Sequence, residues 1–207
     1  MEALIAFAAA LLALRLTALI ARRWRATARP ELAAWTGALF AYAVACAALA
    51  WGAAAGWDSR AFRVYYLFGG LLTAPLLGLG SLLLYGWRRV VAPALVYVGL
   101  AVGIAISMPV HGTFGDSIPA AQNHLDFIPG RLVAIVANVT GTLAVLAVAI
   151  VTIKRRPVEN GLILAGVLVA ALGTALSGLG EAKTAIFVAI AALLLYGGFT
   201  GSPRKRR

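Results

Sequence analysis

Carboxylates and histidines are scarce in this sequence. Only seven of its 207 residues are Asp or Glu, and the two histidines, His111 and His124, share one polar stretch. No Asp, Glu or His falls inside a long apolar segment. That argues against a proton relay or an ion-coupled carrier, which place ionisable groups within the bundle. A zinc protease needs a His-Glu-x-x-His helix, and none is present. Neither a Gly-x-Ser-x-Gly nucleophile turn nor a phosphate-cradling glycine loop occurs. With one cysteine, Cys46, inside an apolar run, no intramolecular disulfide can form and the redox compartment stays open. No catalytic residue, metal or cofactor is expected.

What remains is mostly hydrocarbon. The chain is 62% hydrophobic and 12% charged, with a mean hydropathy of +0.93; a soluble domain is about a quarter charged. Seven apolar segments follow one another, at residues 3–21, 32–52, 62–86, 90–110, 131–153, 160–178 and 182–200. Each is near the ~20 residues that a helix needs to cross a bilayer. The expected fold is all-α, a single polytopic bundle over residues 1–207 with seven transmembrane helices. Glu2 stands where a signal peptide would carry its basic residues, so the first segment reads as a retained span. Arg15, near that segment's basic end, reads as snorkelling to the headgroups, with an intramembrane functional charge as the alternative. Trp35, Trp51 and Trp57 fall where aromatic belts would put them.

The net charge of +11 is distributed as a topology signal. Basic clusters follow the first, third and fifth segments and end the chain, and they hold 13 of the 18 Lys and Arg. Five of the seven acids lie on the other side, with Arg60, Arg63, Arg131 and Lys183. The positive-inside rule then puts the N-terminus outside, the C-terminus inside and the 111–130 connection outside. No basic domain is left over to bind nucleic acid. The expected partners are the lipid bilayer itself and, at that outer loop, a membrane protein or a small ligand. A seven-span, N-out chain invites the retinal-protein reading, but Lys183 stands at the start of its segment and the third segment has no carboxylate.

Small residues recur every fourth position, at Gly37, Ala41 and Ala45; Gly70, Ala74 and Gly78; Gly99, Gly103 and Ser107; and Gly166, Ala170, Thr174 and Gly178. That spacing lines one helix face and lets a neighbouring backbone come close. The third segment combines such a stripe with Arg63, Tyr65 and Tyr66 at its outer end and Pro75 near its middle. Pro75 cannot donate to the carbonyl of Leu71, so a kink is expected there unless a neighbour or the Thr73 hydroxyl compensates. Pro75 and Gly78 form a candidate hinge, against a static kink. Asn138 and Thr142, one turn apart, read as interhelical hydrogen bonding or as part of a solute path. The candidate pocket or pathway is Tyr66, Thr73, Asn138, Thr142 and Thr174. In the outer loop Ser117 is placed to cap a short helix over residues 118–127. His111, Asp116, His124 and Asp126 match no compact metal-ligand spacing.

Arg63-Val64-Tyr65-Tyr66 with Gly69, Asn138-Val139-Thr140-Gly141-Thr142-Leu143, Leu162-Ile163 before Gly166, and Gly197-Gly198-Phe199 resemble a group of small multi-span membrane proteins from high-GC bacteria. The resemblance covers the third to seventh segments and implies architecture and a bacterial cytoplasmic membrane, with no chemistry attached. Three classes of function stay open: a non-enzymatic sensor or assembly-partner module, a small-solute transporter or channel, and an intramembrane enzyme.

Overall fold

The first two helices are longer than their apolar cores. The computed structural model describes residues 2–115, 118–152 and 157–175, with five further positions between 190 and 197. Helix α1 spans Glu2–Thr27 and α2 Pro30–Ala55, each about 39 Å long against a hydrocarbon core of about 30 Å. The basic loop expected after residue 21 is therefore helical. Arg22, Arg23 and Arg25 are good helix formers, and cations at a helix C-terminus meet its negative dipole end. Ala28, at φ 51°, turns the chain, and Pro30 opens α2 as expected. Glu31 is buried in the first turn of α2 and accepts from Arg29 Nε at 2.6 Å. Arg15 lies on the exposed face of α1.

Helix α3 runs over Ser59–Leu84, capped by Asp58, whose carboxylate accepts from the Ala61 N–H at 2.7 Å. It is the axis of the fold. Its two sides pack on α2 and on α5, Leu132–Thr152, and its N-terminal half meets α4, Val91–Ser107. Helix α6, Pro157–Ala175, packs on α5. The described residues contain no strand. Five helices among them are long and apolar enough to cross a membrane: Ala3–Thr27, Pro30–Ala55, Ser59–Leu84, Arg88–Ser107 and Phe127–Thr152. The seventh expected segment, residues 182–200, falls almost wholly outside the described residues, as do the basic cluster at 154–156, Gly178, Glu181, Lys183 and the tail.

Exposed side chains on these helices are large and apolar, among them Leu4, Phe7, Leu95, Val96, Ile106, Ile135, Val139 and Ile150. In water such a surface is an aggregation liability; against acyl chains it is the ordinary outside of a membrane protein.

Small residues set the interhelical spacing, and their distribution is uneven. Gly78 and Gly141 bring α3 and α5 into backbone contact. A Cβ on Gly78 would lie 2.7 Å from the Gly141 Cα, and one on Gly141 would lie 2.6 Å from the Ala74 carbonyl carbon. Ala45 approaches Gly69 across the α2–α3 contact. On α4 the expected stripe has no partner among the described residues, of which none lies within 4 Å of a Cβ at Gly99 or Gly103. The belt expectation also needs correcting for two tryptophans. Trp51 is exposed, but Trp35 packs on Gly80 and Trp57 is buried over Gly52 and edge-on to Tyr65. In both cases a glycine opposite gives the indole a seat that burial favours over the headgroup layer.

Candidate functional site

Around Pro75 the helix changes its hydrogen-bond register. Residues Tyr66–Leu72 form a π turn, and the Thr73 N–H reaches five residues back, to Phe68 O. The Thr73 hydroxyl donates to the same carbonyl at 2.7 Å. From Thr73 onward the helix is α. Where donors reaching five back give way to donors reaching four back, one carbonyl is passed over. In an α-helix Leu71 O would bond to residue 75, which is proline and has no N–H. The register change and the proline thus leave carbonyls of this turn short of main-chain donors in an apolar interior, a state that costs several kcal/mol per group in a bilayer.

Two carbonyls of the turn, Gly70 and Leu71, accept from other helices. Asn138 Nδ2 on α5 donates to Gly70 O at 2.5 Å and to its own helix at Ala134 O at 2.8 Å. Tyr97 on α4 donates its hydroxyl to Leu71 O at 2.5 Å. The expected distortion at Pro75 is therefore a π turn beginning before the proline, with its loose ends tied to two neighbours. Tyr66 is buried and donates to Gly130 O at 3.3 Å, just before α5. Tyr66, Gly70, Ala74 and Gly78 thus all turn toward α5 and its lead-in, as the four-residue spacing predicts. The candidate hinge pair, Pro75 and Gly78, sits at the tightest interhelical contact described above.

Of the five candidate pathway residues, Tyr66, Thr73 and Asn138 come together at this turn. Each is engaged with a backbone carbonyl. Thr142 is half-buried one turn beyond Asn138; the side chain of Thr174 lies outside the described residues. Tyr97 was missed by sequence reasoning. The signal for it was Pro75 itself, because a missing N–H requires a donor from elsewhere.

Between α3, α4 and α5 lies a cavity of about 540 Å³, lined by Pro75, Gly78, Pro93, Ala94, Val136, Gly141 and further apolar side chains. Its polar lining side chains are Tyr97 and Thr140. Tyr97 is bonded to Leu71 and Thr140 to Val136 O at 2.7 Å. The wall offers a ligand apolar contact and no acid, base or nucleophile.

The described part of the 111–130 connection packs over the N-terminal end of α3. Phe114 stacks on His124 with centroids 4.5 Å apart, and both rings meet Phe62. The His111 N–H donates to His124 O, and His124 Nδ1 lies 2.9 Å from His111 O. His111 Nε2 is 3.3 Å from Asp126. The helix expected over residues 118–127 shrinks to one turn, Ala121–His124. Pro119 biases Ile118 toward extended backbone, and Ala120 and Leu125 are themselves extended. Ser117 and Asp116 lie outside the described residues. Among those described, no three His, Cys, Asp or Glu side chains converge.

Arg63 reaches from α3 to the last turn of α4, where its guanidinium donates to Ala105 O at 2.8 Å and Ile106 O at 3.1 Å. It places a cation on carbonyls that a helix end leaves unpaired. Arg63→Gln is expected to raise amide exchange over residues 104–108 while α1 and α2 keep their protection; unchanged exchange there would show that the cap contributes nothing.

No family model, curated protein or solved structure matches this chain.

Proposed function

We propose that this chain is a seven-span module of the bacterial cytoplasmic membrane, N-terminus outside and C-terminus inside, acting without catalysis as a sensor or an assembly partner. The carrying observation is the use to which its intramembrane polar groups are put. Asn138 and Tyr97 bond carbonyls of the α3 turn from other helices, Tyr66 bonds Gly130 O before α5, and Thr73 bonds Phe68 O within α3. A solute path needs polar groups free to exchange partners with the solute, and the first three of these instead tie neighbouring elements together. The second support is the outer loop, which Phe62, Phe114 and His124 pin into one arrangement that a protein partner or small ligand can meet. The basic clusters support the orientation.

The test is a mild-detergent isolation from native membranes, with residues 111–130 intact or replaced by a Gly-Ser linker. The reading expects a stoichiometric partner or a ligand-dependent rise in melting temperature that the replacement removes. Solute flux in proteoliposomes, reduced by Asn138→Ala in protein that still melts cooperatively, would overturn it in favour of a carrier.

A further inference from the structure

We propose that the cavity between α3, α4 and α5 is a binding site for one anionic phospholipid of the bilayer, with an acyl chain in the cavity and the headgroup phosphate at Arg88 and Arg89.

Two neighbouring features carry the assignment. The first is the apolar slot, about 540 Å³, which runs from Leu132 at the start of α5 to Val90 at the start of α4. This is the size of an ordinary small-molecule pocket, typically about 300–1,000 Å³, but its bonded polar groups leave it only hydrocarbon to recognise. The second is a hollow of about 390 Å³ at the turn between α3 and α4, formed by Gly86, Trp87, Arg88, Arg89 and Val90. Val90 belongs to both. One end of the hydrocarbon slot thus opens beside two exposed guanidiniums and an exposed indole. Arginine forks match phosphate oxygens, and tryptophan favours headgroup depth.

The occupant follows from that polarity. A wholly apolar ligand would leave the basic end unused, and a free phosphate would leave the slot unused. An amphiphile with a hydrocarbon tail and a phosphate head uses both, and a bilayer supplies it at high local concentration. Helix α4 gives the slot Pro93, Ala94, Tyr97 and Leu100, so a chain lying in it would pack on the face of α4 that Tyr97 ties to α3. The inference rests on the bilayer placement of the helices and not on the choice between module and carrier.

The full chain, reconstituted in nanodiscs of equal phosphatidylglycerol and phosphatidylcholine and then released into mild detergent, would be read by native mass spectrometry. One retained phosphatidylglycerol per chain is expected, with about thirtyfold preference over phosphatidylcholine, since each of the two arginines adds about 1 kcal/mol for anionic lipid. Arg88→Gln with Arg89→Gln, both exposed and outside the packed core, should remove the preference. Ala94→Phe, which fills the slot, should remove retention of both lipids. Equal retention of the two lipids by the native chain, no retained lipid, or retention unchanged in both variants would overturn the proposal. So would a lipid-free dimer cross-linked through residue 94, or a cross-link from residue 94 to residues 182–200, which would give the slot a protein occupant.

Discussion

Gly141→Ala is expected to destabilise the bundle by about 3 kcal/mol or more, at the upper end of what overpacking costs. The reason is what the new methyl would strike. It would fall on the Ala74 carbonyl and 2.8 Å from the Pro75 Cα, and main-chain atoms cannot rotate aside as a leucine tip can. Relief requires α3 and α5 to separate, which would also lengthen the Asn138 bond to Gly70. Gly99→Ala and Gly103→Ala make the same chemical change on α4, where the Cβ meets none of the described residues within 4 Å. They are expected to lie within about 0.5 kcal/mol of the native chain. Melting or denaturant titration of the three variants in one detergent provides the check. Equal losses at all three positions would mean that helix propensity, not the α3–α5 contact, sets the cost.

The second large effect is at the register change. Asn138→Leu should cost about 1–3 kcal/mol, the penalty for a buried polar group left unpaired, above the ~0.6 kcal/mol typical of interhelical hydrogen bonds in membranes. Tyr97→Phe should cost a similar amount through Leu71 O. The two losses differ in origin, and Pro75→Ala separates them. Alanine restores an N–H that reaches four residues back, to Leu71, so in that background Tyr97→Phe should become nearly neutral. An N–H restored at residue 75 and reaching four back meets Leu71 and not Gly70, so Asn138→Leu should keep its cost. A double-mutant cycle in which Pro75→Ala rescues both, or neither, would contradict the assignment of donors.

Five membrane-length helices were legible because a run of about 20 apolar residues has few other fates. Their ends were less so. Arg22 to Arg25 look like a loop by polarity, yet arginine continues a helix readily, and polarity marks the edge of the hydrocarbon more than the end of the helix. The face of α3 was readable from Tyr66, Gly70, Ala74 and Gly78, whereas the α4 stripe at Gly99 and Gly103 was equally regular and has no described neighbour. Spacing shows that a close approach is permitted; it does not say which neighbour takes it. Trp35 and Trp57 illustrate the same limit, since their positions near helix ends suited a belt and only Gly80 and Gly52 decide otherwise. Pro75 announced a broken hydrogen bond but not the π turn, because the donors that make the turn tolerable come from helices far along the chain.

That separation bears on biogenesis. A chain made from its N-terminus presents α3 to the membrane before the side chains that donate to Leu71 O and Gly70 O have been made. The donor for Leu71 comes 26 residues later and the donor for Gly70 comes 68 residues later. Until then the segment around Pro75 must borrow water or headgroup donors and cannot settle fully into hydrocarbon. Its final insertion depth is therefore coupled to the arrival of α5, which makes Asn138 a point at which the translation of one helix completes the insertion of another.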